Sequence, residues 1–271
     1  MPEKQINNES TNDIQMKKLI MTKSAAYVCL FTLITLSGCS MFDLDLQKNY
    51  DYKHQTLDPH INMSARQFLE SRSYETPDNP TDTVFKWMRK GLEYAGIGLE
   101  EFEKPGRTFI FLHNEGIRVW DAKKNQVTAG LFFDFPIVTG ENPETGQPIT
   151  HPATKWEDYD KEDVKNYFLY LIIQGTYNFE DLTITNTTAQ TLLPSGVMAT
   201  KKSLLGYMNE GKGFDQEGKI NFKIINNNDL APIEINDKTI DRSGGYIATN
   251  GVVHVFGAKG AYTVYPFRAP L

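Results

Sequence analysis

The chain has 271 residues, of which 40% are hydrophobic and 12% aromatic, with a formal net charge of −6. That composition supplies one large core or two small ones and excludes disorder as the overall state. The acidic balance argues against nucleic acid and anionic headgroups as partners.

From Met16, where translation is expected to begin, Lys17, Lys18 and Lys23 form a basic head. Ala25 to Leu36 is apolar, and the small residues Ser37 and Gly38 precede Cys39. This is the layout of a secretory signal. The apolar run is about a dozen residues, short of the roughly 20 that cross a bilayer. Leu36-Ser37-Gly38-Cys39 resembles the lipobox of bacterial lipoproteins, in which the cysteine is acylated and becomes the mature N-terminus. Each buried CH₂ contributes about 0.8 kcal/mol, so the several acyl chains usual on such a cysteine give lasting anchorage. The other cysteine, Cys29, lies in the leader. The mature domain is therefore expected to lack disulfides, thiol nucleophiles and thiolate metal sites.

Residues 1–38 are thus read as an N-terminal extension and signal peptide, 39–59 as acylated cysteine and polar tether, and 60–271 as a single domain. Asp43, Asp45, Asp51 and Asp58 make the tether acidic. Acidic residues after the cysteine resemble the surface-export signal of Bacteroidota lipoproteins. An extracytoplasmic, lipid-anchored location on the outer membrane is expected, facing either the periplasm or the cell surface.

A first helix is predicted at Ser64–Arg72. A second follows at Val84–Ala95, where Val84, Phe85, Met88, Leu92 and Ala95 recur at three- and four-residue spacing, capped by Asp82 or Thr83. Arg107–Leu112 reads as a buried strand, and Ile117–Trp120 as a short element. Val138–Pro152, dense in Pro, Gly, Thr and Asn, reads as a surface loop. Val164, Tyr167, Phe168, Leu171 and Ile172 form the stripe of a helix packed on a core, ended by Gln174-Gly175. Acids at Glu157–Asp163 favour its N-terminus over a Ca²⁺ site. Strands follow at Lys219–Ile225 and Pro232–Ile235. Tyr246–Phe256 reads as a hairpin about Asn250-Gly251, two residues that tolerate positive φ. Helices first and strands later predict an α+β domain.

These blocks, in this order, resemble the fasciclin domain from about Ile61 to Pro266. Ile247–Phe256 is similar to the closing Asn-Gly turn and V-(I/V)-H-V-(I/V)-D strand, with Asn250, Gly251, Val253, His254 and Val255 matching and Phe256-Gly257 departing. Thr108–Asn114 is similar to T-(V/L)-F-A-P-T-N, keeping Thr108 and Asn114. Leu169–Gly175 is similar to L-Y-H-V-V-P-G, keeping Tyr170 and Gly175. Leu171 stands in place of the histidine of the Tyr-His pair implicated in integrin recognition, so that role is not carried over. The resemblance implies a wedge or sandwich of mostly antiparallel strands with helices on the N-terminal side. It also implies insertions near 138–160 and 195–229, and a role in adhesion or binding.

Catalytic and cofactor signatures are absent: no Gly-x-Ser-x-Gly, phosphate loop or dinucleotide fingerprint occurs. His54, His60, His113, His151 and His254 show no metal-ligand spacing, and His254 is expected to support its strand through backbone hydrogen bonds. Trp156, beside the long loop, and Trp120 are the candidates for stacking on a sugar or anchoring a partner. The expected function is a non-enzymatic surface lipoprotein that binds a surface protein or glycan, with no cofactor or metal. The alternatives are a glycan-capture accessory of an outer-membrane uptake system and an extracytoplasmic hydrolase built on two carboxylates.

Overall fold

The computed structural model describes residues 58–75, 77, 81–196, 218–228, 231–237 and 239–257. The lipobox residues Leu36, Ser37, Gly38 and Cys39, the tether up to residue 57 and most of the 195–229 insertion lie outside the described residues. Asp58–Leu271 forms a compact unit.

The helices come first. α1 (Ala65–Ser71) begins at Ser64, whose hydroxyl accepts the Gln67 N–H while the Gln67 side chain accepts the Ser64 N–H. This reciprocal capping fixes two otherwise orphaned donors. α2 (Lys86–Ala95) starts two residues later than its apolar spacing suggests. Asp82 is drawn away to pair with Arg72 at 2.6 Å, and the α2 cap is supplied from outside. Asn114 Oδ1 accepts the Trp87 N–H, and its amide donates to the Thr83 carbonyl. α2 stops at Gly96, whose left-handed φ of 71° is cheap for glycine.

After a 3₁₀ turn at Leu99–Glu103 comes β1 (Arg107–Leu112), then the short α3 (Asn114–Ile117), the hairpin β2 (Val119–Asp121) and β3 (Gln126–Ala129), and α4 (Leu131–Asp134). The expected loop at Val138–Pro152 is instead a second hairpin, β4 (Ile137–Glu141) with β5 (Pro148–His151). Its residues are almost all exposed, so no inside-outside alternation marks it in the sequence. α5 (Lys161–Tyr170) is capped by Asp160, which accepts the Glu162 and Asp163 N–H groups. It ends before Ile172, which the helical stripe had included. Ile172–Gln174 is strand β6, paired with β1.

The strand-rich second half comprises β7 (Thr187–Gln190), β8 (Lys219–Ile224), β9 (Ile233–Ile235), β10 (Thr239–Ile240), β11 (Ser243–Ala248) and β12 (Gly251–Phe256). One sheet has the order β11-β12-β1-β6 and the other β10-β9-β8-β7. They meet where Ile173 bridges Thr191. Among the described strands, β1 with β12 is the one parallel pair. Mixed helices and mostly antiparallel sheets make this an α+β fold, with helices in the N-terminal part and strands concentrated beyond. At the open edge of the first sheet, residues 59–61 run alongside β11: Ile247 N–H donates to the Pro59 carbonyl and Ile61 N–H to the Ile247 carbonyl.

The core is aromatic. Phe68, Phe85, Phe102, Phe109 and Phe111 interlock over the first sheet at centroid distances of 5.2 to 5.9 Å. A second group, Phe132, Trp156, Tyr159, Tyr167 and Phe168, lies beneath α2. Gly91 lets α2 approach it, since a Cβ there would stand 2.4 Å from Phe168 Cε2 and 2.7 Å from Trp156 Cε2.

The Asn250-Gly251 turn is present, for a different reason from the one the dipeptide suggests. Neither residue has positive φ. Gly251 is required because a Cβ would lie 2.1 Å from the Arg107 carbonyl oxygen of the neighbouring strand. Gly251→Ala should therefore destabilise the domain by about 1–3 kcal/mol. Gly140→Ala, where a Cβ meets nothing within 4 Å, should stay within about 0.5 kcal/mol of wild type. Urea unfolding midpoints of the two variants measure the difference, and equal shifts would contradict the close approach.

Candidate functional site

The residues shared with the family blocks are bound up in the fold. Thr108 Oγ1 donates to the Gly175 carbonyl and accepts the Tyr177 N–H, both at 2.9 Å, which stitches β1 to the turn after β6. Gly175 itself has φ of 97°, a region costly for other residues. The Tyr170 hydroxyl donates to the Lys219 carbonyl and accepts from Asn236. The Asn250 amide donates to the Phe102 and Lys104 carbonyls, and its oxygen accepts the Ala65 N–H at the start of α1. Asn114, as described, caps α2.

His254 belongs to this group. It is fully buried on β12. Its Nδ1 accepts the Gly245 N–H at 3.0 Å and its Nε2 lies 2.8 Å from the Tyr177 carbonyl, so the proton sits on Nε2. Burial pushes the imidazole down to about 4, against 6.5 in an open chain. Asp241 lies on the other side of Gly244: a Cβ on that glycine would approach Asp241 Oδ2 at 2.6 Å and His254 Nδ1 at 3.0 Å. Burial raises the Asp241 carboxyl from 3.8 to about 6, opposed by the N–H that it accepts from Ile233.

Trp156 is not the exposed loop aromatic that its position beside the long loop suggests. It is 1% exposed, with Phe132 edge-on at 5.1 Å and Phe168 tilted against it at 5.1 Å. Its indole N–H donates to the Trp87 carbonyl at 2.8 Å. Fixing α2 against the 3₁₀ turn at Trp156–Asp158 is its structural work, and a sugar cannot stack on a ring enclosed on both faces.

Trp120 is 42% exposed and belongs to a row that only the packed fold assembles. The Arg118 guanidinium carbon stands 4.6 Å from the Trp120 ring centroid and 4.7 Å from that of Trp87 on α2, so one cation joins two indoles. Such contacts contribute about 0.5–1 kcal/mol each where exposed. Burial pulls Arg118 below its ordinary value, and its Nε is enclosed without a hydrogen-bond partner. Lys90 Nζ also lies over the Trp87 ring, at 4.8 Å. Beside this row is a cleft of about 460 Å³ lined by Trp87, Lys90, Glu93, Tyr94, Lys155 and Glu157, with an edge of Trp156. Its volume falls within the range of small-molecule sites, about 300–1,000 Å³.

Four of the lining residues, Trp87, Lys90, Glu93 and Tyr94, sit on α2 at helical spacing, a signal that the core-facing stripe of the same helix obscures. The described histidines are scattered: His60 beside Asp58, His113 at the start of α3, His151 at the end of β5. No group of three His, Cys, Asp or Glu able to hold a metal occurs among the described residues. No protein-family model matches the chain and no curated protein matches it.

Two measurements separate these roles. Trp156→Ala should cost about 3–5 kcal/mol of stability. Trp120→Ala should cost under about 1 kcal/mol, the loss of one exposed cation–π contact. Thermal or urea unfolding ranks them, and a reversed order would contradict the burial of Trp156.

The second concerns pH. His254, with a depressed folded value, contributes stability that is complete above 6.5 and is lost as pH falls toward 4. Asp241, with a raised folded value, contributes stability that is present below 3.8 and is lost as pH rises through about 6. Between these limits the two slopes oppose each other. Asp241→Asn removes the second, so between pH 6 and pH 4 this variant should lose about 2–3 kcal/mol more than wild type. Parallel pH profiles of the two proteins would contradict this.

Proposed function

We propose that the protein is a lipid-anchored extracytoplasmic lipoprotein whose fasciclin-like domain binds a surface protein or glycan and catalyses no reaction. The cation–aromatic row Trp120–Arg118–Trp87 beside an open cleft is the observation that carries this reading. It gathers flat aromatic surface and exposed charge on one face, as recognition sites do. The polar groups of the family-like blocks are taken up by backbone partners, so they are structural in this proposal. Of the cleft's two acids, Glu93 is engaged by Arg89 at 2.7 Å and by Tyr74 at 3.1 Å, and both are exposed. That is the setting of surface ion-pair residues, and it supports binding over acid–base hydrolysis. Anchorage on the outer membrane, through acyl chains on Cys39, is part of the same proposal and rests on the lipobox-like sequence.

The second reading, a glycan-capture accessory of an uptake system, is favoured by the exposed indole of Trp120. Stacking on a sugar ring needs an open aromatic face of that kind.

Replacing the acylated residue tests the anchorage. Wild type should label with palmitate and sediment with membranes, whereas Cys39→Ser should lose the label and appear in the soluble fraction. A Cys39→Ser protein that keeps both lipid and membrane association would overturn the assignment. Cross-linking on intact cells, followed by recovery of neighbouring proteins and glycans, then separates the two readings of the domain.

A further inference from the structure

Resting on the binding reading above, we propose that the cleft beside α2 takes a carboxylated sugar, a pyranose of the uronate type, with Trp87 as its stacking platform and Lys90, Lys155 and Arg118 as its anion-recognising groups.

In a chain of net charge −6, cations are expected to find carboxylates readily. Lys104, Arg107, Lys223 and Arg242 all do so within 3.0 Å. Lys90 and Lys155 are exposed in the cleft, and neither has a carboxylate within 4.0 Å among the described residues. Arg118 likewise has none, and its side-chain hydrogen bond among the described residues is a long contact of 3.4 Å to the Thr154 carbonyl. Of the two acids that line the cleft, Glu93 is already held by Arg89 and Tyr74. The cleft therefore presents two cations without a carboxylate partner, Lys90 and Lys155, with Arg118 in the row beside it, against one uncommitted carboxylate, Glu157.

Geometry then selects the kind of anion. Lys90 rests its ammonium on the Trp87 ring, a weak contact that an exposed lysine gives up easily. An arriving carboxylate would draw that ammonium off the indole and leave the apolar face of a sugar ring to take its place. Arg118 remains stacked between Trp87 and Trp120, so its guanidinium edge is held in a fixed plane without an ordering cost at binding. A bare anion would use the cations and ignore the rings. A neutral sugar would use the rings and leave the cations unpaired. A carboxylated pyranose uses both, and a cleft of about 460 Å³ accommodates a residue or two of such a chain.

The test uses the lipid-free Cys39→Ser chain and calorimetric titration with trimers of galacturonate, mannuronate and glucuronate. Their methyl esters serve as neutral counterparts and tri-glutamate as an acidic peptide. At least one uronate trimer should bind, at least 10-fold more tightly than its ester and than tri-glutamate, and the affinity should fall as salt is raised. Lys90→Ala with Lys155→Ala should weaken it at least 10-fold, while Lys165→Ala with Lys223→Ala, a change of equal charge elsewhere, should not. Trp87→Ala should weaken it comparably while the protein keeps its circular dichroism. If Trp87→Ala fails to fold, the lysine pair decides. No binding to any uronate overturns the proposal. So does equal binding of the esters, which marks a neutral-sugar site, or of tri-glutamate, which marks a bare anion site. None of these outcomes alters the result of the membrane fractionation, so the failure of this ligand and of the anchored-binder reading are distinguishable.

Discussion

β1 and β12 lie side by side and parallel, and neither can reach the other by a short turn. Parallel neighbours need a crossover, and here the crossover is most of the domain: α3, α4 and α5, both small hairpins and the second sheet lie between them in sequence, while α1 and α2 precede both. The approach is set by the missing side chain of Gly251 against the Arg107 carbonyl, and its register is locked by Asn250, which reaches across to Phe102, Lys104 and Ala65. Once that pairing forms, His254 is carried into the interior to hold Gly245 and Tyr177. Thr108 then meets the turn at Gly175, and Phe109 and Phe111 present their rings to α1 and the 3₁₀ turn. Side chains that look like reactive groups in the sequence are instead the pins of this junction.

With those polar groups occupied, the surface chemistry that remains is on the helical side. α2 faces inward with Met88, Leu92 and Ala95 and outward with Trp87, Lys90 and Glu93. Gly91 decides how close it comes to α5, and Trp156 fills the gap that the glycine leaves. The indole offered by the sequence as a ligand platform is instead the support beneath Trp87. It holds the Trp87 backbone by its N–H, and Trp87 in turn receives Arg118 and Lys90.

Much of the architecture was legible because local rules and tertiary demand agreed. Ser64 and Asp160 are good N-caps before amphipathic runs, and RTFIFL is too apolar and β-branched to be anything but a buried strand. The α+β class followed from their order. Errors came where local signal and packing diverge. The β4–β5 hairpin has no buried face, so period-two alternation never develops. Ile172 continues a helical stripe by spacing, yet the chain turns at Leu171 to let it pair with Phe109. Asp82 is a good capping residue that Arg72 claims first. Of the site, Trp120 was legible as an aromatic without an obvious place in the core. Its row was not, because Trp87 is separated from Arg118 and Trp120 by β1 and α3, and only the packed fold brings it within 5 Å of Arg118.

The attachment of residues 59–61 to the edge of β11 also bears on how the domain would respond to mechanical load. Both hydrogen bonds belong to Ile247 and lie on either side of the His60 bridge, roughly across the chain direction. Tension along the incoming segment strains the pair together, in shear, whereas a sideways pull opens Pro59 first and peels them in turn. Just beyond lies Ser64, whose hydroxyl donates to Glu103 at 3.0 Å, and then Ala65, gripped by Asn250. A pull on residues 59–61 would thus pass force through a strand edge into the same asparagine that fixes the central strand pair, leaving α2 and its indole off the line of strain.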